Sequence, residues 1–227
     1  MKLFWVRHGL TSYNLPEAEE ANPDPMYGYL REFDANDLTP QGQLQAMQTG
    51  MRLKDIRMDR VLVSPAARTF ITAANVVKQQ KVLPELEVWH ELYEVGAYGM
   101  STPMPLDVMK TVWQNIKLNT DGYETTGRTE TDEERADRAD RVRDRILREF
   151  SDLENVLVVT HGHFLSGYLI PSLMMIPREL RGKYVFFAEN AAIGCIEYKD
   201  DGRIVVRSVN DCGYMGSNVS REFYTIK

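Results

Sequence analysis

The chain lacks the features that mark secreted, membrane-spanning or nucleic-acid-binding proteins. It has two cysteines in 227 residues, Cys195 and Cys212. Two cannot make a disulfide framework, so a reducing, cytoplasmic setting is the expectation. The first apolar run, Leu3 to Val6, is cut short by Arg7 and His8, far below the length of a signal peptide or a membrane span. Asn218-Val219-Ser220 fits a glycosylation pattern, but without a secretion signal it reads as coincidence. A basic excess is missing too: 27 Lys and Arg against 33 Asp and Glu leave a net charge of −6. That argues against a general partner for nucleic acid or anionic membrane, and any site for a negative substrate must be a local basic pocket. No internal repeat or low-complexity tract occurs. What remains is ordinary globular composition, 43% hydrophobic and 26% charged. It suits one compact domain over 1–227, with cap or insert segments at about 15–36 and 95–130. The apolar and aromatic content permits a homodimer.

Apolar runs bounded by turn residues predict strands at Leu3–Val6, Val61–Val63, Leu86–Trp89 and Asn155–Thr160, with two closing strands near Ala192–Tyr198 and Ile204–Val209. Thr39-Pro40 and Ser64-Pro65 read as helix starts, the hydroxyl residue capping and the proline in the first turn. Leu44, Met47 and Met51 give the first of these helices an apolar stripe; the second runs to about Val77. A helix is predicted near Leu106–Lys117, inside the irregular stretch from Val95 to Arg128 that is the best candidate for a cap. Thr131 and Glu134 form a capping box ahead of a charged helix with a buried stripe of Ala139, Val142 and Ile146. A last helix covers about Phe164–Met174. Strands alternating with helices predict an α/β three-layer sandwich with a mostly parallel sheet flanked by helices.

The chemistry-bearing residues follow the strands: Arg7-His8-Gly9 after the first, Ser64 and Arg68 after the second, Glu94 after the third, His161-Gly162-His163 after the fourth. In a parallel open sheet those ends share one edge, where such folds bind ligands. His8, on a turn that Gly9 lets bend tightly, is a competent nucleophile toward phosphorus when neutral. Arg7 and Arg68 offer planar forks to phosphate oxygens, and their charges disfavour an imidazolium at His8. His161 is a further donor whose charge would offset that of a transition state, and the helix near Phe164 would aim its positive end at the anion. Glu94 suits proton transfer to and from the leaving group. Singly, each has a plainer reading: a hydrogen-bonded structural histidine, a solvated arginine, an ordinary loop glutamate. Ser64 and Thr39 are helix caps first, or else stand just behind the reacting groups, and His90 and His163 are read as non-catalytic. A metal at His161-x-His163 would lack a full ligand set.

The ordered motifs resemble the histidine phosphatase superfamily, in its phosphoglycerate-mutase-like branch. Arg7-His8-Gly9-Leu10-Thr11-Ser12-Tyr13-Asn14 is similar to that family's opening signature, with Leu10 in place of a frequent glutamate. The likeness continues through Leu38-Thr39-Pro40-Gln41-Gly42, Ser64-Pro65-Ala66-Ala67-Arg68-Thr69 with Thr72-Ala73, and Leu92-Tyr93-Glu94. It ends with Val158-Val159-Thr160-His161-Gly162 and Glu189-Asn190-Ala191. The resemblance implies a phosphohistidine at His8 and no metal or organic cofactor for hydrolysis. It implies a phosphoryl group held by Arg7, Asn14, Arg68, His161 and Gly162, and a Gly9 carbonyl that receives the other ring N–H of His8. Ser64 stands behind these and Glu94 matches the acid/base position. Residues 100–130 carry one arginine, Arg128, where mutases of this branch have a paired-arginine stretch, so a phosphatase acting on a small-molecule phosphate monoester is expected over a phosphomutase. A catalytically inactive phospho-ligand or partner-binding relative is the reading from another class; the complete residue set speaks against it.

Substrate choice is expected from the segments that match least. The stretch Glu17–Asp37 holds Glu17, Glu19, Glu20, Asp24, Glu32, Asp34 and Asp37 against Arg31 alone. Beside the site it would repel a second negative group, which favours a monoester with a neutral remainder touching Tyr27, Tyr29, Tyr98 or Met100.

Overall fold

Alternate residues of the first strand face opposite ways, and both ways are dry. Phe4 and Val6 join one apolar cluster, Leu3 and Trp5 the other, so a continuous apolar run becomes a central strand covered on both faces. The structure is a computed structural model, and it describes residues 1–14, 38–96, 98, 103–119 and 127–219. Tyr27, Tyr29, Arg31, Met100 and the acidic run of 17–37 lie outside the described residues.

Among the described residues seven strands form one sheet: β1 (Lys2–Arg7), β2 (Arg60–Val63), β3 (Leu86–Trp89), β4 (Ile116–Asn119), β5 (Asn155–Thr160), β6 (Ile193–Tyr198) and β7 (Ile204–Asp211). Their spatial order is β4-β3-β2-β5-β1-β6-β7. The first five in that order are parallel, while β6 runs antiparallel to β1 and β7 antiparallel to β6. Helices α1 (Pro40–Leu53), α2 (Ala67–Val77), α3 (Leu106–Val112) and α4 (Asp132–Phe150) flank it. They are joined by a wide π-type segment, Phe164–Leu169, running into α5 (Ile170–Leu173), and by α6 (Arg178–Arg181). One face of the sheet packs on Phe70, Val77 and Met109 of α2 and α3, the other on Val142, Ile146, Phe164 and Leu173. The three-layer architecture is as expected. Among the described residues no helix is long and apolar enough to cross a membrane.

Three local expectations are corrected. The helix foreseen to Lys117 ends at Val112, and Ile116–Asn119 instead pairs parallel with Leu86–Trp89. Residues 116–119 of the 95–130 segment therefore extend the sheet. The cause is a short edge strand whose two faces are half exposed, so no apolar run announces it. Ser64 caps nothing: α2 has Ala66 at its N-cap position with no side-chain bond. Thr39 is a true cap, accepting from the Gly42 N–H at 3.0 Å.

The third correction concerns α1. Leu44, Met47 and Met51 are exposed, and the buried face is Gly42, Gln45, Ala46, Thr49, Gly50 and Leu53. Glycine stands where that face meets the turn after β1, because backbone approaches backbone there. A Cβ on Gly42 would overlap the carbonyl oxygen of Leu10, and one on Gly9 would overlap that of Gly42. Gly42→Ala is expected to cost about 2–3 kcal/mol by overpacking and to slow turnover by displacing the turn after β1. Denaturant unfolding together with steady-state rates checks this; wild-type values for both would contradict the close approach.

Candidate active site

The parallel register sets the ends of four strands side by side. Arg7 pairs with Thr160, and Val63 with both Val159 and Val88, so the residues that follow β1, β2, β3 and β5 emerge at one edge. The turn after β1 is tied there at several points. His8 N–H donates to the Thr160 carbonyl (2.9 Å), Ala191 N–H to the Arg7 and His8 carbonyls, and the Asn190 side-chain amide to the His8 carbonyl (3.0 Å). Ala191 takes φ 58° to do this. Gly9 N–H donates to Thr72 Oγ1 and Leu10 N–H to Gln45 Oε1, both at 2.9 Å.

On that frame the His8 ring is oriented by one bond. Nδ1–H donates to the Gly9 carbonyl at 2.8 Å, which leaves the Nε2 lone pair as the unprotonated face. Burial first, then Arg68 and Arg7, hold the imidazole well below the ordinary histidine range; the Gly9 bond opposes them and loses. His8 is neutral at pH 7. Arg7 is buried, donating through Nη1 to the Ala188 carbonyl at 3.0 Å. Gly162 sits against it: a Cβ there would come to 2.9 Å from Arg7 Nε, so the glycine leaves the guanidinium its space. Asn14 accepts the Thr11 N–H and hydroxyl at Oδ1, 3.1 and 2.9 Å, which turns its amide NH₂ away from that loop.

His161 departs from expectation. Its ring centroid lies 5.5 Å from that of His8. Arg68 Nε–H donates to its Nδ1 at 3.2 Å, and a guanidinium can only donate, so the ring proton is on Nε2 and goes to Ser64 Oγ at 2.7 Å. Burial, followed by Arg68 and His8, holds this imidazole well below the usual range as well. In this structure the ring is neutral. Both ring nitrogens are engaged, and what the ring does is fix Arg68. Ser64, freed from capping, sets its tautomer.

Glu94 accounts for the other departure. Its Oε1 accepts the N–H of Val95 (2.9 Å) and Phe164 (2.8 Å), and Oε2 accepts that of His163 (3.2 Å). The helix that begins at Gly162 therefore gives two of its N-terminal donors, the N–H groups of His163 and Phe164, to this carboxylate. His163 is exposed, and among the described residues no three His, Cys, Asp or Glu side chains are grouped to hold a metal. Tyr98, expected near the substrate, lies under the Arg138 guanidinium, 4.5 Å from its ring centroid. It lines a cleft with Arg128, Glu130, Glu134, Asp137 and Arg141. The sequence by itself assigns no role to Thr72, Gln45 or Arg138. Arg138 was visible in one respect: it lies four residues before Val142, in register with the apolar stripe of α4.

Two buried neutral histidines make stability depend on pH in a definite direction. Unfolded, each titrates near 6.5, and folded, well below. As pH falls below about 6.5 the unfolded chain takes up protons that the folded chain refuses, so each group costs about 1.4 kcal/mol per pH unit until its folded pKa is reached. Denaturant unfolding from pH 7 to 5 in phosphate-free buffer is expected to show a shallower loss for His8→Ala than for wild type, by about that slope. Parallel curves would contradict a neutral His8.

Comparison with known proteins bears on the fold and on the family. The Shigella flexneri alpha-ribazole phosphatase structure is 24% identical with a TM-score of 0.65, covering 93% of this chain and 96% of that one. The Bacillus anthracis phosphoglycerate mutase structure is 22% identical with a TM-score of 0.60 over 96% of both chains. These share the fold. Among curated proteins, "Probable phosphoglycerate mutase GpmB" of Erwinia tasmaniensis is 26% identical over 179 residues, 78% of this chain and 76% of that protein. A family model described as the histidine phosphatase superfamily (branch 1) matches residues 3–211, and the chain belongs to that superfamily.

Proposed function

We propose that the protein hydrolyses a small-molecule phosphate monoester through a phosphohistidine on His8. The observation that carries this reading is the Nδ1–H bond to the Gly9 carbonyl on a neutral, buried ring beside Arg7 and Arg68. It leaves one nitrogen, Nε2, with a lone pair to attack phosphorus. In the first step the Nε2–P bond forms, the ester P–O bond breaks, and Glu94 gives a proton to the departing alkoxide. In the second, water attacks phosphorus, Glu94 takes its proton, and the N–P bond breaks to release inorganic phosphate. Oε2 of Glu94, with its single long contact, suits that exchange. Arg7, Arg68 and the Asn14 amide hold the phosphoryl oxygens, His161 and Ser64 act by holding Arg68, and no metal or organic cofactor takes part.

Hydrolysis is favoured over phosphoryl transfer between hydroxyls by the state of Arg128. It is the one arginine in 100–130, and both its Nη groups are paired with the Glu134 carboxylate at 2.8 and 2.5 Å, an ion pair that a second phosphate would have to displace. The experiment is an alkaline quench of turnover with a ³²P-labelled ester. Label bound stoichiometrically, stable in alkali and lost in acid, is expected. Absence of bound label from an active enzyme would overturn the proposal.

A further inference from the structure

We infer that Arg138 is the positioning residue that holds Glu94 in place for proton transfer, an inference that rests on the acid/base reading of Glu94. Arg138 is fully buried on α4. Its slot continues the stripe Val142, Ile146, Phe150, each buried, where an apolar side chain would pack without the cost of dehydrating a charge. The guanidinium does there what no apolar group can.

One nitrogen, Nη1, donates to the carbonyls of Glu91 and Tyr93, both at 2.8 Å. These belong to the turn that delivers Glu94. Two ring contacts complete the enclosure. The cation lies 4.5 Å from the Tyr98 centroid, four residues beyond Glu94, and 4.1 Å from that of Phe164, whose N–H binds the Glu94 carboxylate. Its remaining edge, Nε and Nη2, is met by the Glu130 carboxylate at 2.8 and 2.6 Å, which neutralises the buried charge. A single planar fork thus grips the chain before Glu94, the ring after it and the residue that binds its carboxylate. Lysine, a point charge on a flexible stem, cannot reproduce that set.

The test separates positioning from general stability by leaving group. p-Nitrophenolate departs without a proton, whereas the alkoxide of benzyl phosphate needs one. In rapid-quench single turnover, Arg138→Lys is expected to slow phosphoenzyme formation from benzyl phosphate by about 30-fold while changing that from p-nitrophenyl phosphate less than about twofold, part of the full acid–base contribution. Added to Glu94→Gln, it should cause no further loss. Equal losses on both esters, or additive losses in the double variant, would overturn the inference. Glu94→Gln alone serves as the control. If it does not discriminate between the esters, the acid/base reading fails and this inference with it; if it discriminates and Arg138→Lys does not, positioning alone fails. Should Arg138→Lys not fold by circular dichroism, Glu130→Gln, which loosens the fork from its outer edge, carries the same comparison, and equal rates on the two esters would count against the inference.

Discussion

His8→Ala is expected to remove the trapped phosphoenzyme entirely and to lower kcat by a factor on the order of 10⁴ to 10⁶, as loss of a nucleophile does elsewhere. No neighbouring group can take over. His161 is the nearest nitrogen base in kind, 5.5 Å away between centroids, but its Nδ1 receives Arg68 and its Nε2–H is given to Ser64. Its lone pair is therefore spent, and rotating it toward phosphorus would break two buried bonds. Truncation strips the Gly9 carbonyl of one donor, a change of about 1–2 kcal/mol that leaves a folded protein for the assay. Mass spectrometry of the alkali-quenched variant is the measurement. Label persisting in His8→Ala and vanishing in His161→Ala would transfer the nucleophile's role and sink the assignment.

Arg68→Met is expected to lower the rate of phosphoenzyme formation by about 10²- to 10³-fold, the usual cost of removing one preorganised donor at developing charge. It should also change the pH dependence, which simple loss of a contact would not. After burial, Arg68 is the largest cause that keeps the His8 imidazole neutral. Without it the folded pKa of His8 rises toward about 6.5, protonation removes the lone pair at a higher pH, and the acid limb of kcat/KM moves up. Arg68→Lys should retain most of that charge effect while still losing the Nε–H bond that aligns the fork on His161. A pH profile in which the methionine variant keeps the wild-type acid limb would contradict the electrostatic role.

Four strands and the residues trailing them were legible because a buried parallel strand needs a continuous apolar run, and each such run ended at an unusual polar cluster. Thr131 and Glu134 announced their helix for a similar reason, since a capping box is local chemistry, and both bonds form. β4 was not legible, because an exposed edge strand such as Ile116–Asn119 has no face that must be apolar. The stripe of α1 misled for the opposite reason. Leu44, Met47 and Met51 show the right spacing, yet the face that meets the turn after β1 had to be small, and glycine contributes nothing to an apolar pattern.

The sequence alone determined the fold class, the single edge at which Arg7, His8, Arg68, Glu94 and His161 gather, and the family motifs, because each depends on local periodicity and on chain order along a parallel sheet. The tertiary structure decided what those groups are free to do. It made His161 a neutral anchor for Arg68, turned Ser64 from a cap into its partner, spent the helix N-terminus on Glu94 and buried Arg138 around the Glu94 turn. Those outcomes depend on which donor meets which acceptor across 45 to 97 residues of chain, and on burial that strengthens such bonds and suppresses charge, neither of which is written in residue spacing.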